Sequence, residues 1–208
     1  MSPLSIRIPL PVLSDDPQRP RFARGPRSIN AVKMLRISVT DRCNLRCGYC
    51  MPEGGVRFAP KAQLLSADEI EAIARVARGI GVTHIKITGG EPTVRRDVVE
   101  LVGRVVALGF QDVSMTTNAT QLERLALPLR AAGLDRLTVS LDTLDTARYS
   151  DITAGGSLER ALAGIDAAER AGFEISATAS QTRPVFGTAA ADTNATRNEY
   201  IIGLKRSS

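Results

Sequence analysis

The sequence predicts an α/β domain in which parallel strands carry helices on their outer side, as an open sheet or a (β/α) barrel. Short β-rich runs alternate with helical stretches from residue 35 onward, a glycine closes each helix, and polar motifs follow the strands. Such alternation favours parallel strands joined by right-handed crossovers. In either architecture the functional groups gather at the C-terminal ends of the strands.

The first two units each consist of a strand followed by a helix. Their strands are rich in Ile, Val and Leu and lie at Leu35–Thr40 and His84–Thr88. The first helix begins at Ser66-Ala-Asp-Glu69, a capping box in which the serine and the glutamate each bond the other's backbone N–H. It runs to about Ile80 and ends at Gly81. The second helix covers Asp97–Leu108 and ends at Gly109, because glycine readily adopts the backbone conformation that follows a helix.

The third and fourth units repeat the pattern. Their strands lie at Asp112–Thr116 and Leu137–Leu141. Helices are predicted over Leu122–Ala132, before Gly133, and over Leu158–Ala171, before Gly172. Four strands in a row thus end close to a polar motif, which predicts one functional site on one rim of the sheet.

Both ends of the chain lack this alternation. Residues 1–30 are rich in Pro and Arg and predict an extended N-terminal arm. The repeated units fill residues 31–174. Residues 175–208 are rich in Thr, Ala and Ser and predict an atypical, poorly ordered tail, in which Ile175–Ala179 is the one run that fits a fifth strand.

Composition argues against several classes of protein. No stretch approaches the roughly 20 apolar residues of a membrane span, and prolines interrupt the short apolar start, so we expect a cytoplasmic protein without a membrane partner. The net charge of +5 suits a substrate that carries phosphate. Because no basic run is interleaved with aromatic residues, we do not expect nucleic acid as a partner.

The three cysteines, Cys43, Cys47 and Cys50, lie within eight residues of each other. An odd number of thiols so close together argues against a disulfide framework and favours metal binding. Three thiolates can hold three irons of a [4Fe–4S] cube and leave the fourth iron open. The alternatives are buried structural cysteines, a zinc site completed by His84, and a redox pair formed by Cys47 and Cys50.

The spacing Cys43-x-x-x-Cys47-x-Tyr49-Cys50, with Gly89-Gly-Glu-Pro92 one unit later, resembles the signature of radical S-adenosylmethionine (SAM) enzymes. This resemblance implies a partial radical SAM barrel and two cofactors, a [4Fe–4S] cluster and SAM, whose methionine end binds the open iron. An electron from an external donor then releases a 5′-deoxyadenosyl radical. The resemblance also implies SAM contacts at Tyr49, Gly90, Glu91 and Ser140.

Longer phrases resemble the GTP 3′,8-cyclases of molybdenum cofactor biosynthesis, from about residue 33 to Glu174. They lie at Leu35–Cys47, Lys86–Pro92, Thr116–Asn118 and Val139–Asp145. This resemblance implies that the radical takes hydrogen from the ribose of GTP and yields (8S)-3′,8-cyclo-7,8-dihydroguanosine 5′-triphosphate. It implies GTP contacts at Arg36, Lys86 and Thr116, with Lys86 where the family usually has arginine. No side chain is assigned as a catalytic residue, because the cluster and SAM carry the radical chemistry.

After Glu174 the chain departs from that family, which continues further and holds three more cysteines for a second cluster. All three cysteines here belong to the first motif, so the second cluster is predicted absent. Ala177 occupies the position at which the family has a GTP-binding lysine, and Ala119 occupies a position at which the family has glycine. There are therefore two alternatives to a GTP cyclase. The chain is either a truncated, inactive remnant that binds a cluster, or a different radical SAM enzyme that modifies peptides. A homodimer is a further expectation.

Overall fold

The computed structural model describes residues 31–51, 55, 57–178 and 199–203. Its strands are β1 (Met34–Ser38), β2 (His84–Thr88), β3 (Asp112–Thr117), β4 (Arg136–Ser140), β5 (Glu174–Thr178) and β6 (Glu199–Gly203). Its helices are α1 (Ala67–Gly79), α2 (Val98–Val106), α3 (Leu122–Ala131), α4 (Thr146–Thr153) and α5 (Leu158–Arg170). No described helix is long and apolar enough to cross a bilayer.

All neighbouring strands are parallel, in the order β5-β4-β3-β2-β1-β6, which confirms the predicted α/β class. Strands β1 to β5 lie side by side in chain order. A doubly wound sheet would reverse its order at a switch point, whereas an arc of a (β/α) barrel does not. The described strands therefore form the partial barrel that the sequence predicts.

The sheet has one apolar and one polar face, because successive side chains of a strand point to opposite sides. The apolar face is almost fully buried and contains Leu35, Ile37, Ile85, Ile87, Val113, Met115, Leu137 and Val139. Residues of α2 and α3 join them in a single core, among them Leu101, Val105 and Leu129. The opposite face consists mainly of half-buried polar residues, and it faces the inside of the barrel arc.

The predicted helices begin and end close to the expected residues, and the capping box is present. Ser66 N donates to Glu69 Oε2 over 2.9 Å, and Glu69 N donates to Ser66 Oγ over 3.3 Å. Helix α4 was not predicted. Only Tyr149 and Thr153 of its eight residues are buried, so its sequence lacks the apolar period that reveals a packed helix.

The predicted boundary at residue 174 falls at the first residue of β5, which pairs with β4 from Arg136↔Glu174 to Ser140↔Thr178. Strand β6 pairs with the other edge, along β1. The rest of the predicted tail lies outside the described residues, and so does the predicted arm at residues 1–30.

Candidate functional site

Four loops leave the C-terminal ends of β1 to β4 and meet on one rim. We call them the cysteine loop (residues 39–51), the glycine turn (residues 89–92), the β3 loop (residues 118–121) and the β4 loop (residues 141–145). The parallel sheet brings them together, since the C-terminal ends of its strands lie at the same edge. The predicted convergence of the motifs is therefore present.

The glycine turn lies directly against the cysteine loop. Gly90 N donates to Thr40 O over 2.8 Å, and Glu91 N donates to Arg42 O over 2.7 Å. A Cβ atom added to Gly89 would come within 2.4 Å of Thr40 O, and one added to Gly90 within 2.3 Å of Arg42 O. Because glycine has no Cβ atom, Gly89 and Gly90 allow the backbone of the cysteine loop to lie this close.

The carboxylate of Glu91 is buried, with 1% of the residue exposed, and it accepts four hydrogen bonds. Oε1 accepts from Thr93 N, Thr93 Oγ1 and Thr117 Oγ1 at 3.0, 2.6 and 2.8 Å. Oε2 accepts from Asn118 N at 2.7 Å. Burial raises the pKa of Glu91, and the four donors oppose that shift. The carboxylate thus joins the glycine turn to the β3 loop; its predicted contact with SAM stays a prediction.

The β3 loop is joined in turn to the cysteine loop by amide side chains. Asn118 Nδ2 donates to Asn44 Oδ1 over 3.0 Å, and Asn44 Nδ2 donates to Thr120 Oγ1 over 2.8 Å. Asn118 Oδ1 accepts from Thr120 Oγ1 over 2.7 Å. The three loops after β1, β2 and β3 therefore form a closed set of hydrogen bonds.

Helix α4 holds the other side of the cysteine loop. Arg46 N donates to Thr153 O over 3.1 Å, and Gly48 N donates to Ile152 O over 3.0 Å. The carbonyls at the end of a helix lack partners within the helix, and here the loop supplies them. A further contact joins the cysteine loop to the β4 loop, because Tyr49 Oη donates to Asp142 Oδ2 over 2.7 Å.

The three cysteines are free thiols, with Cys43 and Cys47 half-buried and Cys50 exposed. Leu45 N donates to Cys43 Sγ over 3.4 Å. Burial raises the pKa of both Cys43 and Cys47, and the charge of the neighbouring Cys50 adds to the effect. A bound cation would offset this cost, because thiolates that bind metal are stabilised by its charge.

A mononuclear metal site and a cluster make different demands on these thiols. Among the described residues, no three His, Cys, Asp or Glu side chains lie close enough to hold one metal ion. The thiols that bind a cube each bind a different iron and need not meet at one point. His84, the candidate fourth zinc ligand, begins β2 and thus lies at the end of the sheet away from the rim. The three thiols, with the N–H of Leu45 donating to the sulfur of Cys43, therefore suit an iron–sulfur cluster better than a single metal ion.

The predicted substrate residues share the polar face of the sheet. Arg36 and Lys86 are direct neighbours in the register of β1 and β2. Thr116 and Ser140 lie on the same face of β3 and β4, nearer the rim. The structure brings all four residues to one surface below the cysteine loop.

A row of hydroxyl groups crosses this face, and the sequence analysis missed it. The register pairs Ser38 with Thr88, Thr116 with Thr138, and Thr138 with Ser176. Ile87 of β2 pairs with Met115 of β3, so the next residues, Thr88 and Thr116, are neighbours as well. The row is therefore continuous across five strands. Its signal was present in the sequence, as a Ser or Thr at the same level of each of the strands β1 to β5.

Comparisons with known proteins agree with this geometry. The family model of the radical SAM superfamily matches residues 37–182. The chain is 50% identical over 141 residues to a GTP 3′,8-cyclase of Lactiplantibacillus plantarum, which covers 67% of this chain and 42% of the relative. It is 52% identical over 140 residues to Molybdenum cofactor biosynthesis protein 1 of Drosophila melanogaster, covering 67% of this chain and 25% of that protein. The chain thus spans less than half the length of either relative.

Solved structures share the fold. SuiB of Streptococcus suis matches with a TM-score of 0.61 and 25% identity, over 73% of this chain and 34% of SuiB. SuiB bound to S-adenosylmethionine matches with a TM-score of 0.58 and 24% identity, over 71% of this chain and 32% of SuiB.

Proposed function

The chain belongs to the radical SAM superfamily, and we propose on that basis that its cysteine loop binds a [4Fe–4S] cluster and SAM. Cys43, Cys47 and Cys50 would hold three irons and leave the fourth to the methionine end of SAM. Bound there, the cluster and SAM would supply the radical chemistry for removing a hydrogen atom from the substrate. The observation that carries this proposal is the direct hydrogen bonding between the cysteine loop and the glycine turn.

The residues proposed to contact SAM lie around this loop. Tyr49 offers its ring for the adenine, and its hydrogen bond to Asp142 restricts the orientation of that ring. Ser140 ends β4 on the polar face, below the rim. The backbone of Gly90 and the carboxylate of Glu91 are the proposed acceptors for the SAM ammonium. Since three donors already occupy Glu91 Oε1, only Oε2 has room for that contact.

We propose GTP as the substrate and 3′,8-cyclisation as the reaction, in line with the relatives of about 50% identity. Arg36 and Lys86 place two positive charges side by side, which suits a triphosphate. Thr116 and the hydroxyl row offer donors and acceptors for a ribose. Lys86 acts on phosphate as a point charge, without the planar fork of an arginine.

The proposal extends to the remaining partners. An external one-electron donor would reduce the cluster. Because the chain has three cysteines and all lie in the cysteine loop, it would hold one cluster and not two. The second cluster that the resemblance to GTP 3′,8-cyclases implies would then be missing from this chain, so an assay must show whether the chain converts GTP.

The test is anaerobic reconstitution of the full chain, followed by iron and sulfide analysis and by assay of 5′-deoxyadenosine with dithionite and SAM. We expect about four irons and four sulfides per chain, with loss of the cluster in Cys50→Ser. GTP is supported as the substrate if its addition increases the formation of 5′-deoxyadenosine. This increase should be smaller in Lys86→Ala than in the control Arg170→Ala. A cluster that cleaves SAM without any response to GTP would contradict it and favour a peptide substrate. A cluster without SAM cleavage would identify an inactive binding remnant.

A further inference from the structure

Helix α4 contains a buried hydroxyl group that the proposed function does not use. Tyr149 is 2% exposed, and its Oη atom makes no hydrogen bond with any residue that the structure describes. A buried hydroxyl without a partner destabilises a protein by roughly 1–3 kcal/mol. Such a group therefore calls for an acceptor, and the described part of the chain supplies none.

The surroundings of Tyr149 indicate where that acceptor lies. Ile152 and Thr153, three and four residues further along α4, accept the two hydrogen bonds from the cysteine loop. Both carbonyls belong to the helical turn that follows Tyr149, so Tyr149 lies about one turn from the contact with Arg46 and Gly48, the two residues that flank Cys47. Negative charge on Cys47, Asp142 or Cys43 would act on the phenol and raise its pKa.

The hydroxyl group keeps its proton in these surroundings. Burial, with the nearby Cys47 as the next cause, raises the pKa of Tyr149 to about 12. Asp142 already accepts the hydrogen bond from Tyr49. Glu91, whose charge also acts on the phenol, already accepts four hydrogen bonds. The remaining groups that act on it are Cys43 and Cys47, the proposed ligands of the cluster.

We propose that the Tyr149 hydroxyl donates a hydrogen bond to a sulfur atom of the cluster held by the cysteine loop, and thereby raises its reduction potential. This inference rests on the proposed function. A hydrogen bond to sulfur stabilises the reduced cluster more than the oxidised one, because reduction adds negative charge to the sulfurs. Tyr149 is thus a residue that tunes the cofactor without touching the substrate.

The variant Tyr149→Phe tests the inference, because it removes the hydroxyl and keeps the ring. In a redox titration monitored by electron paramagnetic resonance, the ratio of reduced to oxidised cluster at a fixed potential should fall about tenfold, a shift of about 59 mV for one electron. Ser150→Ala is the matched control, since it removes a hydroxyl about 100° around the same helix and should leave the potential unchanged. An equal potential in Tyr149→Phe and the wild type would overturn the inference.

Two further measurements separate this inference from a general packing effect. Without cluster, Tyr149→Phe should unfold at the same or a higher urea concentration than the wild type, because it removes a hydroxyl that lacks a partner. Replacement of Tyr149 by 3-fluorotyrosine makes the hydroxyl a stronger donor and should raise the potential. A fall in potential with 3-fluorotyrosine would contradict the hydrogen bond. A wild-type chain that binds no cluster would defeat the proposed function as well, whereas equal potentials would defeat this inference alone.

Discussion

The backbone N–H of Asn118 donates a 2.7 Å hydrogen bond to the carboxylate of Glu91, and this bond joins the β3 loop to the glycine turn. Asn118 also donates to Asn44 in the cysteine loop. The glycine turn donates back to that loop through the N–H groups of Gly90 and Glu91. Each of the three loops is therefore held by the other two, and a change in one should displace the cysteines.

The first prediction concerns Glu91→Gln. A glutamine has one acceptor oxygen, and its NH₂ group would face either Asn118 N–H or the donors at Oε1. We expect the free energy of unfolding to fall by about 2–3 kcal/mol, since buried donors lose their acceptor. Urea unfolding of the anaerobic apoprotein measures this. Glu169→Gln on the exposed side of α5 is the control and should stay within about 0.5 kcal/mol of the wild type. Equal stability of the two variants would show that the carboxylate does not hold the loops together.

The second prediction concerns Gly90→Ala. The added methyl group would lie 2.3 Å from Arg42 O, so the cysteine loop has to move away from the glycine turn. We expect a loss of about 3 kcal/mol or more in the free energy of unfolding, and a matching loss of bound iron after reconstitution. In contrast, a methyl group added at Gly79, near the end of α1, meets nothing within 4 Å, and Gly79→Ala should keep its iron. Full iron content in Gly90→Ala would contradict the tight contact between the two loops.

Much of this architecture could be predicted from local sequence signals. The strands are β-branched and apolar on alternate residues, and the Ser66–Glu69 capping box marks the start of α1. The rim site was predictable for a topological reason, since motifs that follow parallel strands must meet at the same edge. The thiol spacing was a local signal as well, because all three cysteines lie in one loop.

The remaining features depend on contacts between distant residues, which no local pattern encodes. The glycines of the turn are required by the backbone of residues 40–42, a part of the chain nearly 50 residues earlier. Ala119 has a φ of 64°, a left-handed conformation that glycine adopts more readily than alanine, and only the folded loop reveals that angle. Tyr149 belongs to a helix with too few apolar residues to be recognised.

The third prediction concerns pH. Hydrogen bonds from Arg95 at 2.7 and 2.9 Å hold the pKa of Asp97 below its usual value, and Arg95 also donates to Val39 O and Leu65 O. A depressed pKa in the folded state stabilises the fold above the usual Asp value of 3.8, and this stabilisation is lost as the pH falls through the lower folded value.

Asp97→Asn removes the ionisable group, so the variant should be less stable than the wild type at pH 7. Because the carboxylate is partly exposed and screened by solvent, the difference should be about 1 kcal/mol or less. The two proteins should converge in stability as the pH falls below about 4. Urea unfolding at a series of pH values measures both curves. A difference that persists unchanged at acid pH would contradict the assignment to Asp97.

The fourth prediction concerns the end of α4, the helix that holds the cysteine loop. Its C-cap, Ala154, is exposed and has a φ of 53° and a ψ of 60°, a left-handed conformation in which a Cβ atom is unfavourable. Ala154→Gly removes that strain, and the greater flexibility of glycine in the unfolded chain offsets part of the gain. We expect the free energy of unfolding to rise by about 0.5–1 kcal/mol.

An alanine-to-glycine substitution at another helix end should change the free energy of unfolding in the opposite direction. Ala107, the C-cap of α2, is also exposed but has a φ of −60°, which alanine adopts without strain. Ala107→Gly should therefore lower the free energy of unfolding by about 0.5–1 kcal/mol. Urea unfolding of the two variants and the wild type compares them directly. If Ala154→Gly also lowered the stability, the left-handed conformation at the end of α4 would not be the strained state that its φ indicates.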